Sequence, residues 1–219
     1  MASVTVLVRL AQRQAATSTE MNASAGDSQP LAARPKRFVD PVRAQWRRDL
    51  RAARDALTDR PQREAGLLEA VERWLNTQPV STLGFFWPTR GEPDLAALVA
   101  RWLRADPARA AALPVIEGEL LRFAPWTPGT ALVAGPFDVQ VPDTPLRIDP
   151  QLLLIPCVGI DRQRYRLGYG GGYYDRTLAV LAPRPITAGV GFDCARIATI
   201  NPKPHDLRLD LAITESGAW

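Results

Sequence analysis

Apolar residues recur along this chain with two different periods, and the changes from one period to the other divide it into elements. From Asp40 the run VRAQWRRDLRAARDAL sets Val42, Trp46, Leu50, Ala53 and Leu57 at helical spacing, which predicts an apolar stripe backed by a strongly basic opposite face. Asp40 stands where an N-cap belongs, and Pro41 at the first helical position, where a missing N–H costs nothing. TDRPQREAGLLEAVERWLNT predicts a second helix that buries Leu67, Leu68, Val71, Trp74 and Leu75. The pattern then changes to VSTLGFFWP, a short apolar run bounded by Pro79 and Pro88, and this predicts a buried strand. DLAALVARWLRA predicts a helix, AALPVIEGELLRFAPW one or two strands, and LRIDPQLLLIPCVGI a further buried strand. After a glycine-rich stretch come a helix from Tyr173 to about Ala182, a strand in ITAGVGF and a last strand in LRLDLAIT. Strands alternating with helices predict one α/β domain with a mostly parallel central sheet.

The domain occupies 38–219. The preceding 1–37 are rich in Ala, Ser, Thr and Gln without a sustained apolar period, which predicts a disordered or mis-started tail. Few acids and Arg9 and Arg13 give it a loose likeness to a transit peptide, whereas Met21 offers a later start of translation. No apolar run reaches the roughly 18 residues of a membrane helix, because even LLLIPCVGI is interrupted by Pro156 and Gly159. Cys157 and Cys194 have no spacing that assembles a zinc site or disulfide framework, so a cytoplasmic protein with reduced thiols is expected. With His205 the only histidine, any chemistry must run on carboxylates, arginines and backbone amides. The net charge of +4 comes almost wholly from arginine, a fixed planar fork suited to phosphate oxygens.

The segment LLLIPCVGIDRQRYRLGYGGGYYDRTLAVL carries the chemistry. A buried strand leads into Gly168, Gly170, Gly171 and Gly172 and then into a helix, an order that presents unhindered N–H groups at a positive helix end where phosphate oxygens bind. The GxxxxGK[ST] spacing is absent, which excludes a P-loop NTPase, and a dinucleotide fingerprint lacks its third glycine. Arg166 is suited to neutralising phosphate charge, and Asp175 is a hard oxygen donor for a Mg²⁺ that bridges phosphates. Read without these flanks, the same glycines describe a tight connection against which Tyr173 and Tyr174 pack.

RLGYGGGYYDR closely resembles the signature of the 5-formyltetrahydrofolate cyclo-ligase family, also called methenyltetrahydrofolate synthetases. The likeness continues, in order, through a basic helix with Arg43 and Arg47, FFWPTRGEPD ending in Glu92, ALPVI, and the closing NPKPHDLRLDLAITE. It implies three α/β/α layers, ATP as co-substrate at one end of the sheet and a reduced folate beside it. Carried over, Arg43 and Arg47 hold the triphosphate, while Arg166 and the stretch Gly168, Tyr169, Gly170, Gly171, Gly172, Tyr173 and Tyr174 cradle it. Arg166 and Tyr173 take the catalytic roles, and Asp175 and Asp206 hold Mg²⁺. Glu92 binds the reduced pterin, with Trp87 and Phe137 offering apolar faces to the folate rings. The implied reaction passes the γ-phosphoryl group of ATP to the 5-formyl oxygen, after which nitrogen 10 closes on the formyl carbon, giving 5,10-methenyltetrahydrofolate, ADP and phosphate.

Each assignment has a competing reading from the residues alone: solvated arginines for Arg43 and Arg47, a turn residue for Glu92, a core residue for Trp87 and a loop acid for Asp206. The chain also departs from the family pattern at Gly171, where several members carry lysine, at Asp138 and Val141, and at Ala195. An alternative is therefore a paralogue that binds Mg-ATP with altered or lost folate chemistry, serving as a regulatory or binding protein. A nucleic-acid partner is not expected, since no known module is present and the charge is spread widely. The expected partners are small molecules, acting on a monomer without a membrane.

Overall fold

A computed structural model of the chain describes residues 40–219; the expected tail lies outside the described residues. The first helix, α1 (Pro41–Asp55), starts as its sequence requires: the Asp40 carboxylate accepts the N–H groups of Val42 at 3.0 Å and Arg43 at 3.2 Å. Its inward face is only in part the expected apolar stripe, of which Trp46, Leu50 and Leu57 are half-buried. Val42 is 51% exposed and Ala53 is exposed, whereas Arg43 and Arg54 are buried and Arg47, Leu50 and Leu57 are half-buried. These five positions follow helical spacing as well as the apolar set did. They win the inward face because the guanidinium groups meet carbonyl and carboxylate acceptors there, which removes most of the cost of burying charge.

Helix α2 (Arg60–Leu75) buries Leu67, Val71 and Leu75 as expected, together with Ala70, while Leu68 and Trp74 are half-buried against the same core. The strand expected after it is short, β1 (Thr82–Gly84), and Phe85 and Phe86 remain buried beyond its end. Helix α3 (Ala96–Arg104) follows, and then β2 (Ala110–Glu117) and β3 (Leu120–Trp126), which form an antiparallel hairpin. A small antiparallel ribbon of β4 (Leu132–Ala134) and β5 (Gln140–Pro142) was not foreseen from the sequence. The run LRIDPQLLLIPCVGI divides into β6 (Leu152–Pro156) in the main sheet and β7 (Gly159–Asp161) in a second one. Pro156 is the last residue of the first of these, and Cys157 N makes one more bond beyond it, to Val190 O at 3.1 Å.

β7 pairs with β8 (Arg166–Leu167) and with β10 (Arg196–Ile197). Helix α4 (Tyr173–Val180) and strand β9 (Ile186–Val190) separate them. The strand expected to be last, β11 (Leu211–Thr214), is followed by a turn at Glu215 and Ser216 into β12 (Gly217–Ala218), which opens on Gly217 at φ +117°.

The main sheet has seven strands in the order β12-β11-β9-β6-β1-β2-β3, parallel throughout its centre and antiparallel at its two edges. Alternation along β6 divides the core. Leu152 and Leu154 join the cluster under α2 and α3, and Leu153 and Ile155 join the cluster under α4. The layers are therefore helix, sheet and helix, as expected. Strand order reverses between β1 and β6, and the loops that leave the carboxyl ends of these two strands emerge at this switch point, where open parallel sheets bind ligands, with the loop after β9 one strand away.

Close approach fixes a glycine in β9. A Cβ on Gly189 would lie 2.7 Å from Ile160 Cδ1, 2.8 Å from Leu209 Cδ1 and 2.9 Å from Cys157 Sγ. Gly189→Ala is expected to cost about 1–3 kcal/mol by overpacking, read as a lower denaturant midpoint at unchanged slope.

Candidate active site

The glycine loop hangs from the small sheet. Asp161, 1% exposed at the end of β7, accepts the N–H groups of Gln163 and Tyr165 through Oδ1 and that of Ile200 through Oδ2. One buried carboxylate thus fixes both the β7–β8 turn and the loop after β10. Gly170 at φ +96° and Gly172 at φ +66° adopt the left-handed region, and Gly172 caps α4, so side chains at these two positions would be strained. A Cβ at Gly168 would meet nothing within 4 Å, so the loop is open there.

Three arginines of α1 reach three different loops. Arg43 donates to Ile200 O at 3.2 Å and Asn201 O at 2.7 Å, and grips both oxygens of Asp206 at 3.2 and 2.5 Å. Burial works to raise the Asp206 carboxyl, but the Arg43 bonds and charge and the Lys203 N–H outweigh it and hold Asp206 below the ordinary carboxylate range. Arg47 donates from Nε to Gly168 O at 2.6 Å, with its guanidinium beside Gly170. Burial, and then the charge of Arg43, lowers the Arg47 pKa, a penalty that a bound anion would relieve. Arg54 donates to Arg90 O at 2.7 Å and to the Tyr169 hydroxyl at 3.0 Å.

Across the loop, buried Arg166 pairs with Asp175 at 3.0 Å and lies over the Tyr174 ring, 5.5 Å from its centroid. Its Nη1 is buried without a hydrogen-bond partner, an orphaned cationic donor that suits a phosphate oxygen. Asp175 also accepts the N–H of Leu207 at 3.1 Å, which brings it beside the segment that carries Asp206. Among the described residues no three His, Cys, Asp or Glu side chains group as a metal cage. Asp175 and Asp206 are the two carboxylates beside the glycine loop, each held by an arginine, and one or two protein carboxylates are what Mg²⁺ takes when phosphate and water complete its shell.

Glu92 is 6% exposed in the loop after β1. Its Oε2 accepts Thr89 N at 2.9 Å and Thr89 Oγ1 at 3.2 Å, and its Oε1 accepts the Tyr169 hydroxyl at 2.8 Å. Burial pushes this carboxyl above the ordinary range, against the opposing pull of Thr89, Tyr169 and the Arg54 charge. The Tyr169 phenol is pushed up to about 12, first by burial and then by the Glu92 charge.

The remaining expected residues are placed differently from one another. Tyr173, at the start of α4, has Phe137 against it in an edge arrangement at 6.2 Å and Arg176 over its ring at 4.8 Å. Phe137 is 61% exposed in the β4–β5 ribbon at φ +63°, a conformation costly for a bulky residue. Trp87 is half-buried against the core, with its ring 6.4 Å from that of Trp126.

The model of the 5-formyltetrahydrofolate cyclo-ligase family matches residues 39–215. The chain belongs to that family. An Escherichia coli K12 protein named 5-formyltetrahydrofolate cyclo-ligase is 31% identical over 185 residues, covering 78% of this chain and 98% of that protein. A Mycolicibacterium smegmatis protein of the same name is 31% identical over 162 residues, covering 68% and 82%. Among solved structures, the Aquifex aeolicus 5,10-methenyltetrahydrofolate synthetase superposes with a TM-score of 0.66 at 25% identity, covering 81% of this chain and 91% of that one. A Mycoplasma pneumoniae 5,10-methenyltetrahydrofolate synthetase shares the fold with a TM-score of 0.65 at 22% identity, covering 79% and 98%.

The site of this cyclo-ligase family member contains two groups that reasoning from sequence passed over, Arg54 and Thr89. Arg54 was legible only as one more basic residue of α1, although it shares a helix face with Arg43 and Arg47. Thr89 carried no signal, since its role depends on the turn that brings its N–H to Glu92.

The raised Glu92 carboxyl has a consequence for stability. A carboxyl whose folded pKa exceeds its unfolded value contributes stability while protonated and loses it as pH rises through the folded value. Glu92→Gln keeps an acceptor for Thr89, and its amide can donate to the Tyr169 oxygen. Its melting temperature is expected to rise relative to the parent as pH goes from about 4.5 to about 7.5, starting at the ordinary glutamate range. Thermal melts at the two pH values check this, and a variant-minus-parent difference that falls with rising pH contradicts it.

Proposed function

We propose that the protein converts 5-formyltetrahydrofolate to 5,10-methenyltetrahydrofolate, with ATP going to ADP and phosphate. The observation that carries this reading is the meeting, at one switch point, of an open glycine loop flanked by Arg47 and Arg166 with a buried carboxylate, Glu92, on the adjoining loop.

In this reading Arg47, Arg166 and the amides of residues 168–174 bind the triphosphate. Arg43 supports them by fixing the loop that carries Asp206. Asp175 and Asp206 hold Mg²⁺, which when bound supplies charge neutralisation at the transferring phosphoryl group. Glu92 binds and orients the reduced pterin, and Phe137 and Trp87 face the folate rings. The formyl oxygen takes the γ-phosphoryl group and the bond to ADP breaks. Nitrogen 10 then bonds to the formyl carbon and loses its proton, and the C–O bond breaks to release phosphate. Arg166 stabilises charge on the phosphoryl group in transit, and Tyr173 walls the site against water beside Phe137. Alignment and charge stabilisation suffice for this chemistry, in keeping with a chain that has a single histidine. The same reading takes the protein as a cytoplasmic monomer acting on small molecules rather than nucleic acid. No helix among the described residues is long and apolar enough to cross a membrane, and both cysteines are free thiols.

The test follows the absorbance of the methenyl product when purified protein is mixed with 5-formyltetrahydrofolate and Mg-ATP. Growth of the band is expected, with removal of Mg²⁺ by chelation abolishing it and Arg47→Ala, Asp175→Ala and Glu92→Gln each lowering kcat/KM by about 10²-fold or more. Mg-ATP binding without ADP release in the presence of the folate would instead identify a paralogue with lost folate chemistry.

A further inference from the structure

We infer that the Tyr169 side chain couples the two substrate subsites, so that ordering of the glycine loop by nucleotide sets the position of Glu92 for the folate, and the reverse. The inference rests on the proposed function. It concerns a side chain whose loop neighbours were expected to bind phosphate through their backbone.

The geometry separates the two parts of this residue. Its backbone lies between Gly168 and Gly170, where Arg47 holds the Gly168 carbonyl at 2.6 Å. Its side chain leaves the loop, donates to Glu92 Oε1 at 2.8 Å and accepts from Arg54 Nη2 at 3.0 Å. Arg90 lies over the ring at 5.2 Å, so the aromatic face is also engaged by the loop after β1. On the other side, the turn that carries Glu92 is also held from outside the glycine loop by its own backbone and by Arg60, with Arg54 shared between the two. Glu92 N donates to Thr89 O at 2.9 Å, Arg60 donates to the Gly91 and Glu92 carbonyls at 3.1 Å, and Arg54 donates to Arg90 O. The phenol therefore joins a loop able to respond to nucleotide to a turn braced from behind.

With its pKa pushed up to about 12 by burial, the hydroxyl keeps its proton across the working pH range and stays a donor for Glu92 Oε1. Movement of the loop about Gly170 and Gly172, two positions in the left-handed region, displaces the phenol and with it one oxygen of the carboxylate. Linkage then requires the effect to be mutual: nucleotide tightens folate by the same factor that folate tightens nucleotide.

The experiment measures, by titration calorimetry, the dissociation constants of a non-hydrolysable Mg-ATP analogue and of 5-formyltetrahydrofolate, each alone and in the presence of the other. The parent protein is expected to show mutual tightening of about tenfold, within the usual span of coupling between sites. Tyr169→Phe, which keeps the ring and its Arg90 contact, is expected to bring that factor close to one. Thr89→Val, which removes a hydroxyl from Glu92 but touches nothing in the glycine loop, is expected to weaken folate while leaving the factor unchanged. Thermal melts establish that both variants are folded. No mutual tightening in the parent, a factor retained in Tyr169→Phe, or a factor lost equally in Thr89→Val overturns the inference. Methenyl product from the parent alongside any of these results leaves the proposed function standing, whereas a parent that neither binds nor converts the folate defeats both.

Discussion

The structure around the site depends on burying the positive charge of one helix. Arg43, Arg47 and Arg54 lie along a single face of α1 and hold three loops between them: Arg43 the Ile200–Asn201 carbonyls and Asp206, Arg47 the Gly168 carbonyl, and Arg54 both the Arg90 carbonyl and Tyr169 of the glycine loop. Hydrogen bonds to a charged donor are each worth about 1.5–3 kcal/mol, while an unpaired buried guanidinium is a larger loss. The loops and the helix therefore hold one another in place. Helix α1 also presses directly on the small sheet, since a Cβ on Gly159 would come within 2.7 Å of Leu50 Cδ1.

The central sheet supplies the frame for that arrangement. Because strand order reverses between β1 and β6, the Glu92 turn and the strands leading to the glycine loop leave the sheet next to one another, and the loop after β9 joins them from the other side. Departure from the sheet at Pro156 matters as much as the sheet itself. It sends the chain into β7 and β8, from which the glycine loop is suspended above the strand ends. Asp161, Asp175 and Asp206 tie this superstructure together through backbone N–H groups, and Asp175 and Asp206 through arginines as well, so the carboxylates here organise loops.

The site combines two half-sites of different character. Around the glycine loop the groups are cationic and partly unsatisfied, with a lowered Arg47 and an orphaned Arg166 nitrogen, both improved by an arriving anion. Around Glu92 both carboxylate oxygens are bonded, to Thr89 and to Tyr169, and burial raises the carboxyl. In the proposed function the first takes the polyanion, and the second offers one oriented, buried carboxylate to the nitrogen-bound protons of the pterin.

Periodicity and local chemistry were enough for the element order, the α/β class, the cap at Asp40, and the glycine loop leading into a helix, because these follow from residues within one or two turns of each other. The motifs spaced along the chain also pointed to the family. What the sequence by itself could not decide is which face of α1 turns inward. Its apolar and arginine positions have the same period, and the choice is made by acceptors contributed from residues 90, 168, 200, 201 and 206, distant in sequence. The division of the run ending at Ile160 between two sheets, and the reach of Tyr169 to Glu92, are likewise decided by tertiary structure. Pairing of buried polar groups is a property of where segments meet, whereas apolar spacing is a property of the segment alone.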